Sequence, residues 1–519
     1  MKRRFSVLNI LLLCASLCPA GRAQELKLTD LAPPTKALVD VGDRAQLFVD
    51  RTLVYQTERV WFTQHQGAKH PANPLVVADQ PWEGWRVQIY GNVLYDQEEK
   101  IFKMWYYSEG RGNGCYATST DGIQWEKPPV GRHDAESGKR SNVVFDHFLP
   151  SVIKDTADPD PTRRYKMTCA RPDSRYKHYT YWTMVSPDGL RWKLSGEKPL
   201  APGFDVVTSH WDPFRKLHVS FVKNHQLPWR GHWRRVFDLT ASKDFENWST
   251  PIPAFRPDLR DDASTLARVE QARPLLDRAD DPARLRTEFY GVGAYPHESC
   301  TIAFPWVISI NNNARWGNHE GPAEIQLAAS RDLVEWHRPF RTPVIAKGKP
   351  GQWDSGYHTT ASSAIRVGDE IRLYFSGANY THGTPAIYRT QFEDGKSTGR
   401  GDRYTSSIGL VTWKLDRFVS VDGPASGGTL TTVPMKFTGD RLELNALTKP
   451  KGQIVVELLD ASARPIKGFA RSSPIKGDDL RHQVKFSGDI SQLSGHPITL
   501  RFHLTNASLF SFAFRKNDG

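Results

Sequence analysis

A seven-residue pattern, Ser-x-Asp-x-x-x-Trp, recurs along this chain and constrains its fold more than any other feature. The copies begin at Ser119, Ser186, Ser242 and Ser330, and a degenerate fifth copy ends at Trp413. Self-similarity at intervals of this kind indicates a supersecondary unit that is copied along the chain and packed against its neighbours. The sequence therefore predicts an architecture built from repeated units.

Each copy of the pattern follows a predicted hairpin of two short strands. The five hairpins pair residues 91–96 with 101–107, 151–155 with 165–169, 208–212 with 217–222, 289–295 with 300–308, and 362–367 with 371–376. Glycine and proline separate these apolar runs, which argues against a helical bundle or a nucleotide-binding α/β fold. Four short strands repeated radially make propeller blades, so the sequence predicts an all-β chain with a five-bladed β-propeller.

The repeated Asp and Trp are predicted to have structural roles. The Asp carboxylate is expected to cap the turn between the third and fourth strands of each unit by accepting backbone N–H bonds. The Trp is expected to pack between neighbouring blades. Residues 58–66 resemble a fourth strand and are predicted to close the ring beside residues 407–413, which would remove the open sheet edges.

The domain limits follow from changes in composition. After residue 421 a linker rich in Gly and Ser precedes alternating strands without the repeat, which predicts a C-terminal β-sandwich over residues 422–519. The propeller is assigned to residues 45–421, and residues 24–44 are an N-terminal extension. Cys115, Cys169 and Cys300 lie in apolar runs and are interpreted as buried thiols.

The N-terminus predicts export. Residues 2–4 are basic, residues 5–20 are apolar, and a small-x-small cleavage site ends at Ala23, so residues 1–23 read as a signal peptide. The protein is therefore expected to be secreted or periplasmic. A lipoprotein anchored at Cys14 or Cys18 is the alternative. No later stretch is long and apolar enough for a membrane span.

The net charge of +12 favours acidic partners, such as uronic or sulfated polymers, although a merely soluble surface explains it equally well. Arg86, Arg230, Arg234 and Arg235 are candidates to bind a carboxylate or sulfate, because a guanidinium offers a planar fork of donors. Aromatic and basic residues alternate over residues 229–235, which also suits nucleic acid. The export signal argues against a nucleic-acid partner.

Four local phrases carry a family resemblance: Leu47-Phe-Val-Asp50, Phe102-Lys-Met-Trp105, Trp353-Asp-Ser-Gly356 and Gly368-Asp-Glu-Ile371. They resemble a group of secreted bacterial proteins similar to glycoside hydrolase family 32. Five blades and a C-terminal sandwich also resemble the propeller glycosidases of families 32 and 43. The resemblance implies a secreted glycoside hydrolase that acts on a polysaccharide or oligosaccharide.

Glycoside hydrolysis needs two carboxyl groups, one to protonate the leaving oxygen and one to act as nucleophile or base. Asp146, Asp205 and Glu288 each lie one strand length before a hairpin turn in consecutive repeats, so all three are expected at one mouth of the propeller. Their order resembles that of the base, the pKa-tuning residue and the acid of family 43. Glu288 is accordingly predicted to be the acid, Asp146 the base or nucleophile, and Asp205 the orienting residue.

The side chains predicted to bind substrate lie near the same mouth or on the innermost strands. They are Arg86, Gln88, Tyr90, His147, His210, Trp353, Asp354 and His358. Asp354 is also the leading substitute for a member of the catalytic trio. The scattered histidines form no ligand motif, so no catalytic metal is predicted, and a structural Ca²⁺ on the propeller axis stays open as an alternative.

Two other functions remain open. A carbohydrate-binding propeller without catalysis would show aromatic and Arg side chains but no paired carboxyls. A propeller lyase or phosphorylase is the other alternative, and a phosphorylase needs a cluster of Arg or Lys beside the acid to hold phosphate.

Overall fold

The computed structural model describes residues 38–109, 113–131, 140–145, 148–175, 179–314, 319–384 and 404–516. The chain is nearly all β, as predicted. Two short α-helices, Leu259–Ala263 and Thr265–Gln271, lie between the third and fourth repeats. The described residues also contain four single 3-10 turns: Pro81–Glu83, Pro161–Arg163, Arg273–Leu275 and Ile490–Leu493. Neither described helix has the length or apolar character needed to cross a bilayer.

The first three repeats each form an antiparallel sheet. The first sheet contains Val87–Gln88, Val93–Asp96, Ile101–Ser108, Asn113–Ser119 and Val143–Phe145. The second contains Phe148–Lys154, Tyr165–Arg171, Thr180–Ser186, Lys193–Leu194 and Ala201–Pro202. The third contains Val207–Asp212, Leu217–Trp229, His232–Ser242 and Ile252–Phe255.

The fourth and fifth repeats also form antiparallel sheets, which the parallel residue pair Ala323 with Tyr357 joins. The fourth sheet contains Arg286–Pro296, Thr301–Ile310, Ala323–Ile325 and Ala328–Ser330. The fifth contains Tyr357–Thr360, Ile365–Val367, Glu370–Ala378, Ser406–Lys414 and Ala68–Lys69. The five predicted hairpins are confirmed by the strand pairing.

Side-chain hydroxyls and an amide link the innermost strands of the first three sheets. Asn92 Oδ1 accepts hydrogen bonds from Ser151 Oγ at 2.9 Å and from Val152 N at 3.0 Å. Ser209 N donates in turn to Ser151 Oγ at 2.8 Å. All three side chains are buried, so these bonds satisfy polar groups that water does not reach.

The same kind of bond continues through the fourth and fifth sheets back to the first. Thr208 Oγ1 donates to the carbonyl of Val292 at 2.6 Å. Ala294 N donates to the carbonyl of Ser362 at 3.0 Å, and Ser362 N donates to the carbonyl of Gly91 at 2.9 Å. The five innermost strands are therefore joined in a closed cyclic order.

This close approach explains two glycines. A Cβ atom at Gly91 would collide with the carbonyl oxygens of Trp105 and Pro150, and one at Gly293 would collide with Thr360 Oγ1. Only a residue without a side chain lets the neighbouring backbones come this near.

The repeated Asp has the predicted structural role. Asp121 Oδ1 accepts hydrogen bonds from the backbone N–H groups of Ile123 and Gln124 at 2.7 and 2.8 Å. The corresponding bonds are made in the other three copies by Asp188, Asp244 and Asp332. Each carboxylate is thus bound within its own turn.

The packing role of the repeated Trp is confirmed at two positions. Trp125 of the first repeat lies edge-on to Tyr374 of the fifth, with ring centroids 5.7 Å apart. Trp336 of the fourth repeat contacts Phe221 and Phe255 of the third, at 5.6 and 5.0 Å. These rings fill the space between adjacent sheets with apolar surface.

The segment that completes the fifth sheet differs from the prediction. Ala68–Lys69 pairs with Ser406–Lys414, whereas Trp61–Gln64 pairs with Val419–Gly423. The prediction that residues 58–66 lie beside residues 407–413 is therefore wrong. Residues on both sides of position 66 read equally well as strands, and the chain divides there between two sheets.

The C-terminal strands form one connected eight-stranded sheet around a separate apolar core. Its strands are Gln46–Leu47, Val54–Glu58, Trp61–Gln64, Val419–Gly423, Gly428–Thr432, Arg441–Leu459, Asp478–Gln483 and Thr499–Arg515. The parallel pair Val39–Gly42 and Met435–Phe437 and the short pair Asn312–Asn313 and His319–Glu320 complete the strands. Residues 46–64 thus pair with the C-terminal strands, so the boundary predicted at residue 45 does not divide the sheets. The other domain limits and the division into two packed sheets stay predictions.

Buried charges join the repeats to the C-terminal sheet. Arg331 contacts both carboxylate oxygens of the buried Asp50, at 2.9 and 3.2 Å, which supplies the partner that a buried charge needs. His297 Nε2 lies 3.1 Å from Asp416 Oδ1, and Asp416 Oδ2 accepts a hydrogen bond from Ser511 Oγ at 2.9 Å. Burial alone would lower the pKa of His297, but Asp416 raises that pKa to about 10.

We predict that His297→Gln destabilises the protein in a pH-dependent way. Because the folded-state pKa of about 10 exceeds the ordinary 6.5, the protonated imidazole stabilises the fold fully below pH 6.5 and progressively less up to pH 10. The variant should lose about 3 kcal/mol at pH 6. Denaturant unfolding of both proteins at several pH values checks this. A difference that stays constant between pH 6 and 10 would contradict the charged pair.

Candidate active site

One edge of the repeats collects charged and aromatic side chains from four of the five sheets. In antiparallel strands, the start of the first strand, the end of the second and the start of the third lie at the same edge. We call this group the central cluster. It consists of Arg86, Tyr90 and Glu109 from the first sheet, Asp205, Lys223 and Arg235 from the third, Arg286, Glu288 and Tyr290 from the fourth, and Tyr357, His382 and Tyr404 from the fifth.

Asp205 is the most accessible of the three carboxylates in the central cluster. Its side chain is 37% exposed, whereas that of Glu288 is 0% exposed. Lys223 Nζ lies 2.6 Å from Asp205 Oδ1, and Tyr290 Oη donates to Asp205 Oδ2 at 3.3 Å. Lys223 Nζ also lies 3.8 Å from the centre of the Tyr290 ring. Asp205 therefore presents an ionised, oriented carboxylate to solvent.

The ion pair shifts both pKa values. Burial raises the pKa of Asp205, but the charge of Lys223 and its hydrogen bond outweigh this and lower the pKa to about 2. Burial lowers the pKa of Lys223 to about 8 against the opposing effect of Asp205. The cluster therefore contains a carboxylate that is ionised at any physiological pH and an amine that exchanges its proton near neutral pH.

Glu288 lies between two guanidinium groups. Arg235 Nε is 2.9 Å from Glu288 Oε2, and Arg286 Nε donates to Glu288 Oε1 at 2.7 Å. Burial favours the protonated acid, but the two arginines outweigh it and hold the pKa of Glu288 below its ordinary value. A general acid needs a raised pKa, so these two arginines do not favour the predicted role of Glu288 as proton donor, which stays a prediction.

Arg86 lies in the cluster as predicted and pairs with Glu109. Arg86 Nε donates to Glu109 Oε2 at 2.7 Å, and Tyr107 Oη donates to the same oxygen at 3.0 Å. The pKa of Arg86 is raised because Glu109, Tyr404 and other neighbours outweigh the effect of burial. Arg86 is thus a permanent cation whose position is set by a carboxylate.

Two histidines at the cluster are neutral. His382 Nδ1 donates to the carbonyl of His319 at 2.6 Å, and Arg286 donates to His319 Nε2 at 3.4 Å. Burial and the charge of Arg235 lower the pKa of both histidines to about 3. At neutral pH, four cations (Arg86, Lys223, Arg235 and Arg286) therefore face three carboxylates, which leaves a net charge of +1.

Aromatic rings form the wall between the charged groups. The Tyr290 and Tyr357 rings meet edge to face at 5.8 Å, and His382 packs on Tyr290 at 4.9 Å. Tyr90, predicted to bind substrate, lies edge-on to Trp306 at 5.4 Å and is buried. These rings exclude water beneath the ion pairs, which strengthens the electrostatic interactions.

The other predicted residues divide into four groups. Asp146 and His147 lie outside the described residues. Gln88 is buried in the innermost strand of the first sheet, opposite Tyr107. His210 lies near the hairpin turn, at the other end of its strand from Asp205, so the structure does not bring it into the cluster.

Trp353, Asp354 and His358 form a different group. Asp354 is buried and paired with Lys69. His358 Nε2 donates to the carbonyl of Asp354 at 2.8 Å, and burial lowers the pKa of His358 to about 3. Trp353 packs on Phe375 at 5.4 Å. Because alternate strand residues face opposite sides, His358 lies on the other side of the strand Tyr357–Thr360 from Tyr357. The substrate-binding role of Trp353, Asp354 and His358 stays a prediction.

Sequence reasoning missed Glu109, Lys223, Arg286 and His382. Lys223 lies in the second strand of its hairpin, and Glu109 directly follows the second strand of its own. The predicted carboxylates were sought only near the first strands. The signal that was available is a charged residue within or directly after an apolar strand, as Lys223 is in Leu217–Trp229, because a buried charge needs a partner.

In the described ranges, no three His, Cys, Asp or Glu side chains are grouped so that they could hold a metal ion. Cys115, Cys169 and Cys300 are free and buried, as interpreted from the sequence.

No protein-family model matches the sequence, and neither does any curated protein. Among solved structures, the chain is similar to an N-acetylgalactosamine deacetylase from F. plautii (13% identity, 73% of this chain and 95% of that chain, TM-score 0.40). It is also similar to a thermostable family-43 glycoside hydrolase (13%, 68% and 96%, TM-score 0.42) and to a glycosyl hydrolase from Bacteroides ovatus (12%, 68% and 94%, TM-score 0.38). Likenesses at this level assign neither a family nor an activity.

We predict that Glu288→Gln lowers the free energy of unfolding by about 3–5 kcal/mol, because two buried guanidinium groups would lose their counter-charge. Glu246→Gln is the matched control, since Glu246 pairs with Arg163 at a half-exposed position where the expected loss is about 0–1 kcal/mol. Chemical denaturation measures both. If Glu288 were protonated, Gln would replace it with little loss, and a change no larger than that of the control would contradict the ionised carboxylate.

Proposed function

We propose that the chain is a secreted, five-bladed propeller glycosidase with a C-terminal β-sandwich, and that it cleaves glycosidic bonds of a polysaccharide or oligosaccharide at the central cluster. The closed cyclic order of the five innermost strands supports the blade count. The observation that carries the activity is Asp205, a partly exposed carboxylate kept ionised by Lys223 and oriented by Tyr290.

Asp205 is suited to act as base or nucleophile. Its pKa of about 2 leaves it ionised, and its exposed edge can reach a water molecule or an anomeric carbon. The leaving oxygen needs a proton, and the pKa values of Asp205 and Glu288 are both lowered. Lys223, with a pKa of about 8, is the acid of the cluster that can supply a proton near neutral pH.

The substrate class follows from the charge of the cluster. Four cations against three carboxylates favour a sugar that carries a carboxylate or sulfate. The Nε atom of Arg235 pairs with Glu288. Guanidinium groups bind carboxylate and sulfate groups through two parallel N–H donors. An acidic or sulfated carbohydrate is therefore the proposed substrate.

A second candidate is phosphorolysis. Lys223, Arg235 and Arg286 lie beside Asp205 and Glu288, which is the arrangement of cations beside acids that phosphate binding requires. In that reaction, phosphate rather than water would attack the anomeric carbon.

We expect Asp205→Asn to lower activity about 10²–10⁴-fold, because a positioned base contributes a factor of this size. The assay screens the purified protein against neutral, uronic and sulfated polysaccharides. Asp188→Asn, in one of the repeated turns, is the control and should keep near-normal activity. Full activity of Asp205→Asn would reject the assignment.

The same panel, run with and without inorganic phosphate, separates the two reactions. Hydrolysis gives a free reducing sugar in the absence of phosphate. Phosphorolysis gives a sugar phosphate and stops when phosphate is removed. Tight binding of a polysaccharide without any product would instead identify a non-catalytic propeller.

A further inference from the structure

The second and third strands of the third sheet continue far beyond the central cluster. Leu217–Trp229 and His232–Ser242 pair with each other as far as the turn that joins them, whereas the first strand of the sheet pairs only as far as Val222. The residues that follow Val222 in its strand rise about 3.4 Å each and carry the two strands roughly 20 Å past the first strand. We call residues 224–235 the extended hairpin.

Contacts with the segment that leads into the fourth sheet hold the extended hairpin in place. Arg234 is buried and donates through Nη1 to both carboxylate oxygens of Asp262, at 3.1 and 2.9 Å. Arg230 Nη1 donates to the carbonyl of Pro282 at 3.2 Å. The guanidinium groups of Arg234 and Arg230 also lie over the ring of Trp229, at 4.9 and 5.1 Å from its centre. A surface that is positioned in advance loses less entropy when it binds a ligand.

Trp233 is the most exposed tryptophan among the described residues, with 62% of its surface accessible to solvent. It lies two residues before Arg235, and alternate residues of a strand face the same side. Trp233 therefore shares the side of Arg235, which reaches Glu288 in the central cluster. Pro228 is the cross-strand partner of Trp233 and is also exposed. The indole and the proline ring thus form an apolar platform that no other part of the described chain covers.

The extended hairpin is positively charged. Residues 224–235 contain three arginines and neither Asp nor Glu. Arg234 and Arg235 pair with carboxylates. Arg230 is exposed and has no carboxylate partner within the described residues. The hairpin therefore carries one unpaired cation together with an exposed indole.

These features favour an acidic polysaccharide over nucleic acid. The ring faces of sugars are apolar and can stack on an aromatic ring, while uronic and sulfated sugars carry anions that a guanidinium binds. Nucleic acid has a charge on every phosphate and is bound by several cations along its backbone, whereas the hairpin offers one. The base of the hairpin lies at the central cluster, where cations are also in excess, so one acidic chain can lie along both.

We propose that the extended hairpin is a polysaccharide-binding subsite, in which Trp233 stacks on one sugar ring and Arg230 binds an acidic group of the same chain. The proposal rests on the proposed function, from which it takes the class of ligand. It deepens that function by naming the substrate as a polymer that is long enough to lie on Asp205 and on the hairpin at once.

The test is affinity electrophoresis of the full chain in gels that contain polygalacturonate, alginate or chondroitin sulfate, with dextran as the neutral polymer. At least one acidic polymer should retard the protein more than dextran does. Trp233→Ala should weaken this binding about tenfold, because the stacking surface is lost. Arg230→Gln should weaken it about threefold, the effect of one exposed ion pair. Both side chains are exposed, so both variants should unfold at the wild-type denaturant concentration.

Matched controls replace exposed side chains of the same kind elsewhere. Trp61→Ala removes an indole that is 52% exposed in the C-terminal sheet. Arg191→Gln removes an exposed guanidinium in a repeated turn, at the opposite edge from the central cluster. Both controls should bind like the wild type. In the activity assay, Trp233→Ala should raise KM for the polymer without changing kcat, and it should leave short oligosaccharides unaffected.

The proposal is wrong if no acidic polymer retards the protein, if dextran binds as tightly as the acidic polymers, or if Trp233→Ala loses no more binding than Trp61→Ala. It is also wrong if single-stranded oligothymidine binds more tightly than every polysaccharide and loses its binding in Trp233→Ala. Binding through Trp233 without any enzymatic product would reject the proposed catalysis and keep the subsite, so the two proposals fail separately.

Discussion

The meeting of five innermost strands is the constraint on which the molecule depends. The side chains of Asn92 and Ser151 accept hydrogen bonds from the backbone N–H groups of Val152 and Ser209, which no flanking strand reaches. Gly91 and Gly293 let the backbones approach. Apolar side chains alone would leave these N–H groups unpaired, at a cost of about 1–3 kcal/mol each. The polar centre is therefore a requirement of the packing.

The same convergence produces the electrostatics of the central cluster. Strand ends from four sheets bring arginines and carboxylates together in a partly buried space, where each charge needs a partner. Glu288 is buried and pairs with both Arg235 and Arg286, whereas the side chain of Asp205 is partly exposed to solvent. Two carboxylates in adjacent sheets thus have different chemistry because their exposure and number of cationic neighbours differ.

The fold was more predictable from sequence than the site. The Ser-x-Asp-x-x-x-Trp copies identified the turns and the packing tryptophans, because those contacts lie within a few residues or recur at a fixed place in each unit. Asp205, Arg86 and Tyr90 were found by counting along strands. Counting did not place the side chain of His358, because a shift of one residue along a strand moves a side chain to the opposite face. It also did not give the pKa of Glu288, which depends on Arg235 from a neighbouring sheet.

The strands of residues 46–64 pair with strands of the C-terminal sheet, while Ala68–Lys69 pairs with the last strand of the fifth sheet. The strands of residues 46–64 are therefore synthesised long before the C-terminal strands with which they pair. Contacts of such long sequence separation slow folding. Neither set of strands can be produced alone without exposing unpaired strand edges.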